Sequence, residues 1–182
     1  MNVIESLRRW HNARQINSGK SPRGRTSPLS GGVIERAMEG HTLLTVEHVR
    51  GGEVIDTRTI ENRCITDVGA AALVASSAPN TAYAFNYHDC GTGTTAEAAA
   101  QTTLITAFGG SRVAGSQSNP SSKVYQSEAT ITFAGAFAIT EHGLFSAAAA
   151  GTLLDRSLFS AVNVASGDSI KFTFQLTMAS GG

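Results

Sequence analysis

"SIKFTFQLTM", residues 169–178, decides the fold class. Ile170, Phe172, Phe174, Leu176 and Met178 alternate with Lys171, Thr173, Gln175 and Thr177. Successive side chains of an extended strand point to opposite faces, so this run is a strand with one face on a core and the other in water. On a helix the same apolar residues would be scattered around the axis.

The same period extends upstream. "SEATITFAG" (127–135) sets Ala129, Ile131 and Phe133 against Thr130 and Thr132. Between these strands lie two further strand-like runs, Leu144–Ala147 and Thr152–Phe159, split by a small-residue turn at Ala150-Gly151. Gly167-Asp168 then turns the chain into the last strand. "HTLLTVEHVRGGEVIDTRTIENR" (41–63) is two β-rich runs around Gly51-Gly52, a hairpin signal because glycine supplies the positive φ of a tight primed turn. In the first run Leu44, Val46 and His48 share a face. "TAYAFNYHDC" (81–90) reads as an aromatic strand with Tyr83, Phe85 and Tyr87 on one side.

Two segments read as short helices. "ITDVGAAALVAS" (65–76) has Thr66 or Asp67 as N-cap, with alanines behind. In "GTGTTAEAAAQTTLITAF" (91–108) the glycines carry neither a Gly-Lys-Ser/Thr phosphate loop nor a GxGxxG pattern. Thr94-x-x-Glu97 fits a capping box that opens an alanine-rich helix. Roughly six to eight short strands with one or two helices point to a mainly β chain, an antiparallel sandwich or barrel, with an antiparallel β-sandwich of jelly-roll-like kind over residues 33–182 preferred.

Residues 1–32 read differently. "MNVIESLRRW" places Val3, Ile4, Leu7 and Trp10 at helical spacing, and "NSGKSPRGRTSPLSGG" (17–32) lacks the apolar residues to form a core. Six of the chain's 14 Lys and Arg fall in residues 1–30, with one acid, Glu5. The rest holds eight basic and thirteen acidic residues, so a cationic arm joins a body of about −5. Its candidate partner-binding residues are Leu7, Arg8, Arg9, Trp10, Arg14, Lys20, Arg23 and Arg25. Apolar helix positions and a lone Trp suit an acidic protein surface better than nucleic acid. A solubilising tail is the bland alternative.

Charged residues make up only 15% of the 182, a low share that suits surfaces packed against neighbours. The start lacks the apolar core of a secretory leader, and no apolar run approaches a membrane span, so a cytoplasmic origin is expected. Cys64 and Cys90 suggest neither a disulfide framework nor a metal site.

Two stretches invite a catalytic reading. In "ITEHGLFS" (139–146) Glu141 sits beside His142, but adjacent residues of an extended chain diverge, and no third group completes an acid–base set. A turn around Glu141-His142-Gly143, between strands ending at Ile139 and starting at Leu144, is the simpler expectation. His88-Asp89-Cys90 lacks the further ligands that zinc needs and reads as a buried or half-buried strand end. No catalytic residue, cofactor site or metal site is expected.

Several of these stretches together resemble a group of small β-rich virion proteins of tailed bacteriophages. The resemblance runs over about residues 42–178. Its pieces are "VEHVRGGEVIDTRTIENRCITDVGAAALV", "GTGTTAEAAAQTTL" and "ITEHGLFSAAAAGTLLDRSLFSAVNVASGDSIKFTFQLTM", in that order. It implies a non-enzymatic structural protein of the particle, assembled in the host cytoplasm, that self-associates and binds the major capsid protein or another virion protein. Within that class the arm favours a capsid cement or decoration protein over a tail, collar or baseplate component. A host-surface-binding β-module is the remaining alternative, though most aromatics occupy core-facing positions.

Overall fold

The computed structural model describes residues 40–62, 65–76 and 84–179, all within one compact unit, Ala37–Gly182. The arm and its named residues lie outside the described residues, as do Cys64 and Tyr83.

Among the described residues nine strands form two antiparallel sheets. In chain order they are β1 (Gly40–Arg50), β2 (Glu53–Asn62), β3 (Tyr87–Gly91), β4 (Val113–Ala114), β5 (Ser116–Ser121), β6 (Val124–Thr132), β7 (Phe137–Phe145), β8 (Leu153–Val164) and β9 (Ser169–Met178). One sheet has the order β2-β1-β9-β6-β5 and the other β4-β3-β7-β8. Among the described residues there is one helix, α1 (Asp67–Ala75).

The alternation that identified β9 determines its place in the core. Ile170, Phe172, Phe174 and Leu176 are buried, and β9 pairs with β1 on one side and β6 on the other. Leu44 and Val46 of β1 and Ala129 and Ile131 of β6 extend the same inner face. Ile139, Leu144, Leu154, Val162, Val164 and Cys90 pack on it from the second sheet, making the sandwich that the alternation predicts. The hairpin turn has φ of 59° at Gly51 and 87° at Gly52, as a type I′ turn demands.

Thr66 is the N-cap of α1, its hydroxyl accepting from Gly69 N at 3.0 Å. Its own amide donates to Leu154 O, which ties the helix to the edge of β8. Gly69 sits so close that an added Cβ would lie 2.7 Å from the Leu154 Cα.

Three expectations need correction. Thr94-x-x-Glu97 opens no helix: residues 92–112 form an irregular strap over the outer face of the second sheet. Its polar groups are used by buried partners described below, and those bonds outweigh the weak helix preference of a short alanine run. Glu141-His142-Gly143 is no turn, because β7 runs unbroken from Phe137 to Phe145 and takes in the run assigned to a separate strand from Leu144. The aromatic strand begins only at Tyr87, and Phe85 is buried just before it.

Candidate functional site

On β7, alternation sends Glu141 outward beneath the strap and His142 inward between the sheets. Glu141 is fully buried, and its carboxylate is saturated. Oε1 accepts from Gly93 N (3.0 Å) and Thr106 N (2.8 Å); Oε2 accepts from Ile105 N (3.1 Å) and from Arg156 Nε (2.6 Å). Arg156, across the sheet on β8 and equally buried, donates through Nη1 to Thr95 O (3.0 Å) and Gln101 Oε1 (3.1 Å). Glu97 accepts from Leu158 N, and Gln101 donates back to Ala96 O. Burial alone would raise the Glu141 carboxyl, but the bonds from Thr106, Arg156 and Ile105 outweigh it and hold the group below its ordinary value. The pair therefore pins the strap. Beside it Leu104, Phe145 and Leu153 form a small second core with Tyr87 packed against it.

His142 lies inside, directly opposite Cys90 in the β3–β7 register. Its Nε2 is 3.0 Å from Nδ1 of His88, whose Nε2 is 2.8 Å from the Ser127 hydroxyl on β6. The His142 ring lies 4.6 Å from that of Phe172. Burial pushes His88 down to about 4, and burial together with His88 holds His142 well below its ordinary value, so both are neutral at pH 7. The Nδ1 of His142 has no hydrogen-bond partner among the described residues. A bare lone pair is cheaper to bury than an unmet N–H. The favoured tautomers therefore donate from His142 Nε2 to His88 Nδ1, and from His88 Nε2 to Ser127.

Polar groups also cross the core elsewhere. On β8 Asp155 accepts from Ser157 (2.7 Å) and from Thr42 of β1 (3.1 Å), a second bridge between the sheets beside His88–Ser127. Asp168, after the last turn, meets His48 Nε2 at 2.9 Å and accepts from Arg50 Nε at 2.9 Å, Arg50 Nη2 at 2.7 Å and Ala165 N at 2.8 Å. Asp89 accepts from Cys90 N and lies 3.5 Å from Arg112, whose guanidinium stacks 3.4 Å over the Phe145 ring. Burial raises both the Asp89 carboxyl and the Cys90 thiol.

These residues do not make an acid–base centre. Glu141 and His142 lie on opposite faces of one sheet, and all of Glu141, His142, His88, Asp89 and Cys90 are buried. Sequence reasoning foresaw that His88-Asp89-Cys90 would be buried. It missed the His88–His142 contact and the roles of Arg156, Asp155 and Asp168, because each partner is distant along the chain. Alternation gave no usable signal either, because the β-bulge between Ile139 and Glu141 shifts it. A regular strand read on from the inward-facing Ile139 would have put Glu141 inside and His142 outside.

Among the described residues no group of three or more His, Cys, Asp or Glu is placed to hold a metal, and no helix is long and apolar enough to cross a membrane. A shallow groove of about 430 Å³ is lined by Thr94, Thr140, Leu158, Phe159, Ser160 and Ala161. On the outer face of the five-stranded sheet, half-buried Thr45, Thr173, Gln126 and Gln175 sit beside Lys171, which pairs with Glu47 and Glu128. The exposed large apolar side chains among the described residues include Val74, Val68 and Ile105, as well as Val54 and Ile55 on the edge strand β2. No protein family, curated protein or solved structure matches the chain.

Proposed function

We propose that the protein is a non-enzymatic structural component of a tailed-phage virion. In this reading it is a capsid cement or decoration protein that self-associates and clasps major capsid subunits through its basic arm. The observation that carries the non-enzymatic part is the burial of every acid, base and thiol that looked chemical in the sequence. What the described surface offers instead is sheet edges and a sheet face that mixes hydroxyl and amide groups with the Glu47–Lys171–Glu128 ion pairs. Such surfaces suit contact with other proteins. Placement in a virion rests on the sequence resemblance, and the clasp rests on the composition of residues 1–32.

The test is copy number per purified particle, by quantitative mass spectrometry against the major capsid protein. A count comparable to that of the shell subunit supports cement or decoration. A count on the order of a dozen moves the protein to a tail or collar ring, and absence from particles overturns the reading. Deleting residues 1–30 is expected to leave a folded body that no longer occupies particles. Full occupancy by that variant would refute the clasp.

A further inference from the structure

The four edge strands of the sandwich differ in how they are closed. The outer edge of β8 is occupied: Leu154 O accepts from Thr66 N, Leu158 N donates to Glu97, and Ser160 O accepts from Arg58. β5, "SQSNPS", contains Pro120, which cannot donate to a neighbouring strand. β4 has two residues. β2 is different: it has ten residues and no proline, and among the described residues nothing pairs with its outer side. Val54 and Ile55 on it are 53% and 50% exposed. Long edges of this kind recruit another strand unless charge or shape prevents it.

The charges on β2 select the recruit. Asp56 and Arg58 lie on one face, two residues apart and 2.8 Å from each other, with side chains 41% and 28% exposed. We propose that β2 pairs with β2 of a second copy, antiparallel, about a two-fold axis through Thr57. Residues directly opposite then sum to the same register position. Asp56 of each copy faces Arg58 of the other, Ile55 faces Thr59, and Thr57 faces itself. Both charges gain a partner of opposite sign without losing the neighbour they already have.

The two adjacent registers are penalised. An axis at Arg58 puts guanidinium against guanidinium, and one at Asp56 puts carboxylate against carboxylate, both destabilising on facing strands. The Thr57 register sets Glu53 opposite Glu61 of the other copy, with Glu53 before the bulge and outside the regular ladder. Axes at Ile55 or Thr59 oppose no like charges but leave Asp56 and Arg58 without a partner from the second copy. The pattern therefore favours the Thr57 register for an identical strand. The bulge between His48 and Val49, opposite Val54–Asp56, limits the regular ladder to the part of β2 beyond it. The contact is therefore small, and the dimer is a concentration-dependent one of the kind that many-copy assembly makes effective. Two five-stranded sheets joined this way form one continuous sheet across the axis.

The inference rests on the self-association within the reading above, but not on the particle, so it is tested with the purified full chain alone. Sedimentation velocity over a concentration series is expected to show a monomer–dimer equilibrium. Asp56→Arg and Arg58→Asp are each expected to weaken it about tenfold or more, since each juxtaposes like charges twice. Mixing the two variants restores association as a heterodimer, one copy positive at both positions against one negative at both. That recovery also shows that both variants fold. Thr57→Lys, at an exposed position, brings two ammonium groups together on the axis and is expected to abolish the dimer. A wild type that stays monomeric throughout the series would overturn the proposal. So would single variants that associate like wild type, or a folded mixture that gains nothing. None of these outcomes bears on whether the protein is found in virions.

Discussion

Nε2 of His142 lies 3.0 Å from Nδ1 of His88, and both rings are buried between the two sheets. Two imidazoles in that position accept protons poorly, whereas the unfolded chain accepts them readily. The native values are depressed, so stability is complete above the ordinary histidine value of 6.5 and declines as pH falls below it. The loss from His88 ends near pH 4, where the native state protonates too. From that shift His88 alone accounts for about 3 kcal/mol, and His142 adds in the same direction.

Stability to urea is therefore expected to fall steeply from pH 6.5 toward 4.5, with a shallower slope in His88→Gln. Carboxylates dominate only lower down. The depressed Glu141 contributes losses below 4.5 and the depressed Asp168 below 3.8, while the raised Asp89 works weakly in the opposite sense. A flat profile between pH 7 and 5 would contradict the buried pair. Nitrogen NMR at pH 7 is expected to show both rings protonated at Nε2.

Removing Glu141 leaves the Arg156 charge buried without its carboxylate and the amides of Gly93, Ile105 and Thr106 unmet. Glu141→Ala is expected to cost about 3–5 kcal/mol. Protease cuts are expected first within residues 92–112, because those residues lose their common anchor. The double variant with Arg156→Met is expected to cost less than the sum of the singles, which a double-mutant cycle measures.

Gly69→Ala sets two effects against each other. Helix propensity favours alanine by about 1 kcal/mol. The new Cβ, however, would lie 2.7 Å from backbone atoms of Leu154, which cannot swing away as a side-chain tip can. Overpacking wins, and a net loss of about 1–3 kcal/mol is expected by thermal or urea melting. Ala70→Gly, on the exposed side of the same turn, is expected to cost only its propensity, about 1 kcal/mol.

Asp168 joins the last turn to the first hairpin through Arg50 and His48. Asp168→Asn keeps the shape but removes the charge and some acceptor capacity, so a lowered melting temperature is expected. Hydrogen exchange is expected to rise at Ala165 and around the β8–β9 turn. An unchanged exchange pattern would show that backbone pairing alone holds that corner.

The legible parts of the sequence were those governed by local rules. Alternation in β9 and β6, Gly51-Gly52 and the Thr66 cap each depend on a few adjacent residues, and each is present in the fold. The misread parts depend on distant partners. Glu97 looked like a capping residue until Leu158 N, 61 positions away, claimed its carboxylate. Glu141 and His142 looked like a turn because a carboxylate and an imidazole are rarely buried, and nothing nearby announced Arg156, the strap amides or His88. Polar residues inside a sheet can be read only once their partners are placed.

The position of β9 has a consequence for how the chain reaches this state. It lies between β1 and β6, and its pairing with β1 joins Gly40 to Met178, the widest sequence separation among the strand pairs. The first hairpin therefore has no inner neighbour until β9 arrives, and the five-stranded sheet remains in two pieces. Closing so long a loop before any reward is slow, and the waiting edges are open to other chains meanwhile. During synthesis this sheet is completed in one step, when β9 follows the other four strands out of the ribosome.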